Sequence, residues 1–397
     1  MNSRSGLAPA APPPLTSSYD VSALRAAEFP WADETIFLNH AGIGPLPERV
    51  RRDLAGHLSR RAAAHRLTDD DLFRILDRSR AIAATLIGAD PTEIALATNT
   101  SYGINLAALM LPLEAGDIVL ASHGEFPANV FPWRQLARRG VELEMVPVTA
   151  EGWPDEARLL ERLGDPRVKV FALSLVQFHT GYWADMAAFS ARCRATNTYF
   201  VIDAIQGLGQ IPFDVRDTPV DILACGAQKW LLSPWGSGFT YVRRELIGKL
   251  EPPLAGWTAF QGADDFSTLV HYRGDWLPDA RRYELVTLPF QDLLGMNGAI
   301  GLLLELGIDA IAAHLATITR PVAEWAQRRG VRLASPEGPR ASGMICVAPE
   351  DPGPVFEALT AAGVVASLRE GAIRFSPHCY NTSDEMERVA TLLDRAL

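Results

Sequence analysis

Seven short apolar runs recur between residues 93 and 242: "EIALA", "DIVLAS", "ELEMVPV", "VKVFALSLV", "YFVIDAI", "DILACGA" and "GFTYV". Each has strand length and is rich in β-branched or aromatic residues. Helix-patterned segments such as "NVFPWRQLARRG" and "MAAFSARCRAT" separate several of them. A strand with one wet face alternates apolar and polar residues. These runs are too continuously apolar for that, so both faces of the sheet must be covered. Strands alternating with helices then predict an α/β fold around a mostly parallel sheet.

The flanks add a second unit. "ETIFLNHAGIGPLP" reads as a short strand entering a Gly/Pro loop. "PERVRRDLAGHLSRRAAAHRL" has helical periodicity after a proline start, and "DLFRILDRSRAIAATLIG" predicts an amphipathic helix ended by Gly88. From "QDLLGMNGAIGLLLELG" onward, helical segments surround a smaller strand set, "RLAS", "SGMICVAP", "VVASLRE" and "AIRFSPH". The expected division is a flexible N-terminal arm over 1–17, the N-terminal part of a small α+β domain over 18–60, a large domain over 61–296, and the C-terminal small domain over 297–397. The arm, "MNSRSGLAPAAPPPLTS", lacks the continuous apolar run of a secretory signal.

Charge and cysteine usage narrow the function. A formal net charge of -10 argues against general affinity for nucleic acid or an anionic membrane surface. Cys193, Cys225, Cys346 and Cys379 form no C-x-x-C pair, so neither a zinc site nor a disulfide framework is signalled. Reduced thiols in a cytoplasmic protein are the expectation. "GIG" and "GLG" occur, but neither extends to G-x-G-x-x-G, which removes the dinucleotide-binding reading.

One lysine stands out. Lys229 is the sole charge in "CGAQKWLLSPWGSGF", residues 225–239, and extending the window to Ile222 and Val242 adds none. An unpaired ammonium in such surroundings is costly or gives up its proton. Upstream, Asp203 ends the apolar run "YFVI", where ligand sites open in α/β sheets, and Gln206 follows. Read singly, Asp203 is a loop or cap carboxylate and Lys229 a snorkelling strand-end amine. Together they suit pyridoxal 5'-phosphate (PLP): the lysine forms the Schiff base and the aspartate pairs with the protonated ring nitrogen. In "ATNTSYGIN", Thr100, Ser101 and several backbone N–H groups precede a helix, an anion site as well as an ordinary N-cap. Gln228 is a further donor. Arg374 offers a planar fork matched to an α-carboxylate, with a structural ion pair as the competing role and Arg369 as a weaker candidate. His40, His123 and His179 lie in loops expected at the mouth of the site; His40 and His179 are taken as substrate-binding candidates. Tyr102, Trp257 and Tyr272 are candidates for the pocket wall or for packing.

The succession "TNTSYGIN", "GEFPANVFPW", "VIDAIQGLGQIPFDV", "CGAQKWLLSPWGSGF" and "SLREGAIRFSPHCYNTSDEMERV" resembles the class V aminotransferase family of fold-type I PLP enzymes, which includes cysteine desulfurases, kynureninase and isopenicillin N epimerase. The resemblance runs from about Thr35 to the C-terminus. It implies a large domain with a seven-stranded sheet and a smaller α+β domain, in a homodimer. It implies Lys229 as the Schiff-base lysine, Asp203 as partner of the ring nitrogen, and Gln206 on the phenolic oxygen. Thr100, Ser101 and Gln228 fall to the phosphate, Phe126 stacks on the cofactor, Thr287 reaches the partner's phosphate, and Arg374 grips the α-carboxylate.

Departures bear on the reaction. Desulfurases carry a cysteine on a loop between two C-terminal arginines, whereas "REGAIR" joins Arg369 to Arg374 without an insertion, and Cys379 lies beyond. Gly226 stands in place of a common phosphate-binding serine, and Phe178 in place of an asparagine. The expected function is an aminotransferase taking an amino acid and a keto acid. A PLP-dependent lyase is the alternative, and a non-catalytic ligand sensor a third reading.

Overall fold

The computed structural model describes residues 19–272 and 274–397; the arm expected over 1–17 lies outside the described residues. Its strands, in chain order, are β1 (Ile36–Phe37), β2 (Ile94–Ala97), β3 (Ile118–Ser122), β4 (Glu142–Val146), β5 (Val168–Ser174), β6 (Tyr199–Asp203), β7 (Ile222–Gly226), β8 (Gly238–Val242), β9 (Arg332–Leu333), β10 (Ile345–Ala348), β11 (Val364–Val365), β12 (Ser367–Arg369) and β13 (Ala372–Phe375).

The seven apolar runs form one sheet in the order β2-β8-β7-β6-β5-β3-β4. Strand β8 runs antiparallel to both neighbours, β2 and β7, and every other neighbouring pair is parallel. Every residue of β2, β3, β7 and β8 is buried, as expected of strands covered on both faces. Only the edge strand β4 opens to solvent along much of its length.

The helix Thr100–Met110 lies directly on this sheet. A Cβ at Gly103 would come within 2.5 Å of Thr240 Oγ1 and 2.6 Å of Ala224 Cβ, so only glycine permits that approach. The helix Asp69–Ile87 begins with a Thr68–Asp71 capping box and ends at Gly88, whose φ of 70° is left-handed. Arg80 on this helix makes a buried two-pronged pair with Glu284, at 2.9 and 2.7 Å, and Glu284 Oε1 also accepts from the Leu96 N–H at 2.9 Å. Removing either partner would strand a buried charge, at a cost of about 3–5 kcal/mol.

A second, antiparallel sheet has the order β12-β13-β10-β9. Parallel pairing of β1 with β11 fastens the N-terminal segment to this C-terminal region. All four cysteines are free and buried. No single helix among the described residues is long and apolar enough to cross a membrane.

Candidate active site

The carboxyl ends of β6 and β7 lie side by side, with Asp203 in register with Ala224. Asp203 is 2% exposed and accepts from the Ile205 N–H at 3.0 Å. Burial pushes its carboxyl up to about 7, against the pull of that hydrogen bond; Glu125 adds to the rise and Lys229 opposes it. Lys229 is half-buried on the turn after β7, with its Nζ 5.4 Å from the centre of the Phe126 ring. Burial brings its ammonium down to about 8, with Asp203 opposing and Arg374 adding to the fall. The uncharged run around Lys229 thus yields an amine whose neutral fraction near physiological pH is far larger than that of an ordinary lysine.

The anion end is built on the helix Thr100–Met110, capped by Asn99 Oδ1 through the Tyr102 N–H at 2.9 Å. Buried Thr100 turns its hydroxyl to the Gly226 N–H at 2.8 Å, while Ser101 is exposed on the first turn. Gln228 Oε1 is buried and has no partner. A Cβ on Gly226 would stand 2.6 Å from that oxygen and 3.3 Å from the Thr100 nitrogen. Gly226 therefore leaves the room that Gln228 fills over the helix N-terminus. With its amide turned over, Gln228 offers an N–H where an anion would be held by the helix dipole.

Arg374, on β13, is 2% exposed. Its Nη1 donates to the Phe178 carbonyl at 2.5 Å, its Nη2 reaches Ser367 Oγ at 3.5 Å, and its Nε has no partner. Burial lowers its pKa to about 10. A buried guanidinium held by neutral groups, with a free N–H, is prepared for an incoming carboxylate. Arg369 on β12 is exposed and donates to the Leu368 carbonyl, close enough to depress Lys229. His179 is half-buried with Nδ1 unpaired, and burial lowers its pKa, with Glu370 opposing. His123 is exposed.

Other expectations meet different surroundings. His40 is fully buried, with Nδ1 2.7 Å from the Ser376 carbonyl, Nε2 unpaired, and its ring among Phe37, Trp230, His378 and Tyr380. Pairing of β1 with β11, and the bridge from Asn39 to Ser376, draw this loop into the core. Both ends of the Gln206 amide are engaged, Nε2 donating to the Ala41 carbonyl at 3.0 Å and Oε1 accepting from Trp230 Nε1 at 2.8 Å. Tyr102 serves packing through a 2.6 Å hydrogen bond to the Tyr283 carbonyl, whereas Trp257 and Tyr272 are exposed. Thr287 is exposed three residues after the anchored Glu284. Glu125, buried beside Asp203, was missed by sequence reasoning; its only signal is a carboxylate placed between "HG" and "FP" at a strand end.

Comparison with known proteins bears on these residues. The class V aminotransferase model matches residues 36–389. Isopenicillin N epimerase of Streptomyces clavuligerus is 30% identical over 90% of this chain and 94% of its own. An uncharacterised aminotransferase of Bacillus subtilis is 29% identical over 76% of this chain and 79% of its own. A probable cysteine desulfurase of Pseudomonas putida is 30% identical over 80% and 81%. Among solved structures, the cysteine desulfurase of Thermococcus onnurineus has a TM-score of 0.85 at 22% identity, covering 96% of this chain and 99% of that one. A variant of C-DES with glycine covalently linked to its PLP cofactor has a TM-score of 0.83 at 20% identity, covering 93% and 99%. The residues present here fit that group, since a depressed amine, a buried carboxyl and an unpaired amide over a helix N-terminus suit its aldehyde, ring nitrogen and phosphate. The chain belongs to the class V aminotransferase family, and PLP is its cofactor.

Proposed function

We propose that the chain is an aminotransferase, passing the amino group of an amino acid to a keto acid. The observation that carries this reading is the two-residue turn between β12 and β13, which puts no thiol ahead of Arg374 to take sulfur, while Lys229 brings an amine of lowered pKa to the crevice. When bound, PLP supplies an electron sink that acidifies the substrate's α-carbon. Lys229 would hold the cofactor and, once freed by the substrate amine, would take the proton from the substrate α-carbon and deliver it to the carbon that it had held. Asp203 would face the ring nitrogen, its carboxyl sharing one proton with that nitrogen. Arg374 binds the α-carboxylate and orients the carbon for proton loss.

The absence of an available thiol bears on the alternative. The turn between β12 and β13 holds only Glu370 and Gly371, and all four cysteines are buried. A desulfurase that passes sulfur to its own cysteine is thereby disfavoured. A lyase that releases its leaving group directly needs no thiol, and relatives named as probable cysteine desulfurases support it as the second reading. We place the enzyme in the cytoplasm as a homodimer, with Thr287 reaching the partner's phosphate site.

A single-turnover scan of the holoenzyme against a panel of amino acids, without keto acid, separates the readings. Stoichiometric formation of a keto acid and the amine form of the cofactor supports transamination. Repeated release of alanine, pyruvate or sulfide with the starting absorbance restored moves the assignment to a lyase.

A further inference from the structure

Glu125 takes no part in the chemistry above, yet it is 7% exposed in the turn between β3 and Pro127. Its Oε1 accepts from the Ser174 N–H at 2.9 Å and from Gln177 Nε2 at 2.6 Å. Its Oε2 accepts from Ser174 Oγ at 2.5 Å and from Asn129 Nδ2 at 2.9 Å. All four donors are uncharged. Three are N–H groups with nothing to accept a carboxylic proton, a set that suits an anion.

The donors come from the parts of the fold that carry the site. Ser174 ends β5, and its register partner on β6 is Asp203. Gln177 precedes Phe178, whose carbonyl takes Arg374, and His179. Phe126 is the next residue after Glu125; its ring lies 5.4 Å from Lys229 Nζ and edge-on to Phe178 at 5.2 Å. One carboxylate therefore fastens the aromatic wall to the strand end beside Asp203.

We propose that Glu125 is a positioning residue for PLP, a buried carboxylate that, through its four donors, fastens the Phe126 wall to the strand end beside Asp203. The charged and titratable groups around Asp203 are Glu125 from the β3 turn and Cys225 and Lys229 from β7 and its loop, with Arg374 and Arg369 beyond Lys229. Of these, Glu125 is the carboxylate that adds to the rise of the Asp203 carboxyl. The proposal rests on PLP attached at Lys229 and not on which reaction follows.

The test uses the holoenzyme, followed by visible absorbance and circular dichroism across pH. In Glu125→Gln the lost charge weakens proton binding by the bound cofactor, and the midpoint of its visible titration falls by about one pH unit, a tenfold change in proton affinity. The loosened wall lowers the visible dichroism per bound cofactor. Glu125→Asp, which restores the charge, brings the midpoint back toward wild type. A Glu125→Gln holoenzyme with wild-type midpoint and dichroism overturns the proposal, whatever its melting temperature. Where that variant does not fold, Ser174→Ala decides: it keeps the charge but removes a donor, so reduced dichroism supports the proposal and unchanged dichroism overturns it. Wild-type protein that gives no visible band with PLP overturns the Lys229 attachment, and this proposal with it.

Discussion

Lys229 and Asp203 are each shifted toward the neutral form, and each shift is measurable without substrate. Only the neutral amine attacks an aldehyde. With its pKa at about 8, Lys229 in the apoprotein should capture PLP at a rate that climbs with pH and levels off above about 8. An unperturbed lysine would keep climbing to above about 10. Stopped-flow absorbance across that range distinguishes the two profiles. For Asp203 the sign is opposite to that of a salt-bridged carboxylate. Its folded pKa is raised from 3.8 to about 7, so the native state holds the proton more tightly than the unfolded chain does. Its contribution to stability is full below about pH 4 and is lost as pH rises through about 7. Apoprotein carrying Asp203→Asn should therefore be more stable than wild type at about pH 8, by on the order of a few kcal/mol, and nearly equal to it near pH 4. Its PLP affinity should fall. Urea denaturation at both pH values checks this, and equal stabilities at the higher pH would show that the ionised carboxyl carries no burial penalty.

The anion end depends on how three elements meet: β7, the turn after it, and the N-terminus of the helix Thr100–Met110. Since a Cβ on Gly226 collides with Gln228 Oε1, Gly226→Ala should push the Gln228 amide aside and weaken PLP binding about tenfold or more. Gln228→Ala should cost affinity alone, yet in the double variant the two losses should fall short of additive, because the collision is gone. Calorimetric titration of the four apoproteins with PLP measures that coupling. Additive losses would mean that Gly226 acts independently of Gln228. At this scale the sequence was informative where chemistry and pattern coincide. Asp203 stood out as a charge ending an apolar run, Lys229 as the sole charge within an uncharged one, and Gly88 because a left-handed helix stop favours glycine. Glu125 was not, since its partners Ser174 and Gln177 lie 49 and 52 residues away and only strand order brings them to it. The burial of His40 was hidden because a Gly/Pro segment has the composition of a surface loop, whereas pairing of β1 with β11 pulls it inward. The antiparallel course of β8 was equally hidden, because a buried strand has the same apolar pattern in either direction.

At the scale of the whole molecule, the place of Thr287 predicts a site shared between two chains. Buried Glu284, fixed by Arg80 and by the Leu96 N–H, anchors the segment that presents exposed Thr287. Nearby in sequence, Trp257, Phe266, Leu269, Val270 and Tyr272 are all exposed, an apolar surface suited to a second copy. In a two-fold dimer each site would then combine Lys229 of one subunit with Thr287 of the other. The arrangement predicts complementation between two defective chains. Lys229→Ala removes the attachment point, and Thr287→Glu sets a carboxylate against the phosphate, so neither homodimer should form the visible PLP band at low cofactor concentration. After joint refolding of equal amounts, half of the dimers are hybrids, and each hybrid has one site with both native residues. About one site in four should then bind PLP with wild-type affinity. If Thr287 served the site of its own chain, every hybrid site would carry one of the two defects and no band would return. Titrating the mixture with PLP, with each homodimer refolded alone as reference, decides between a shared and a self-contained site.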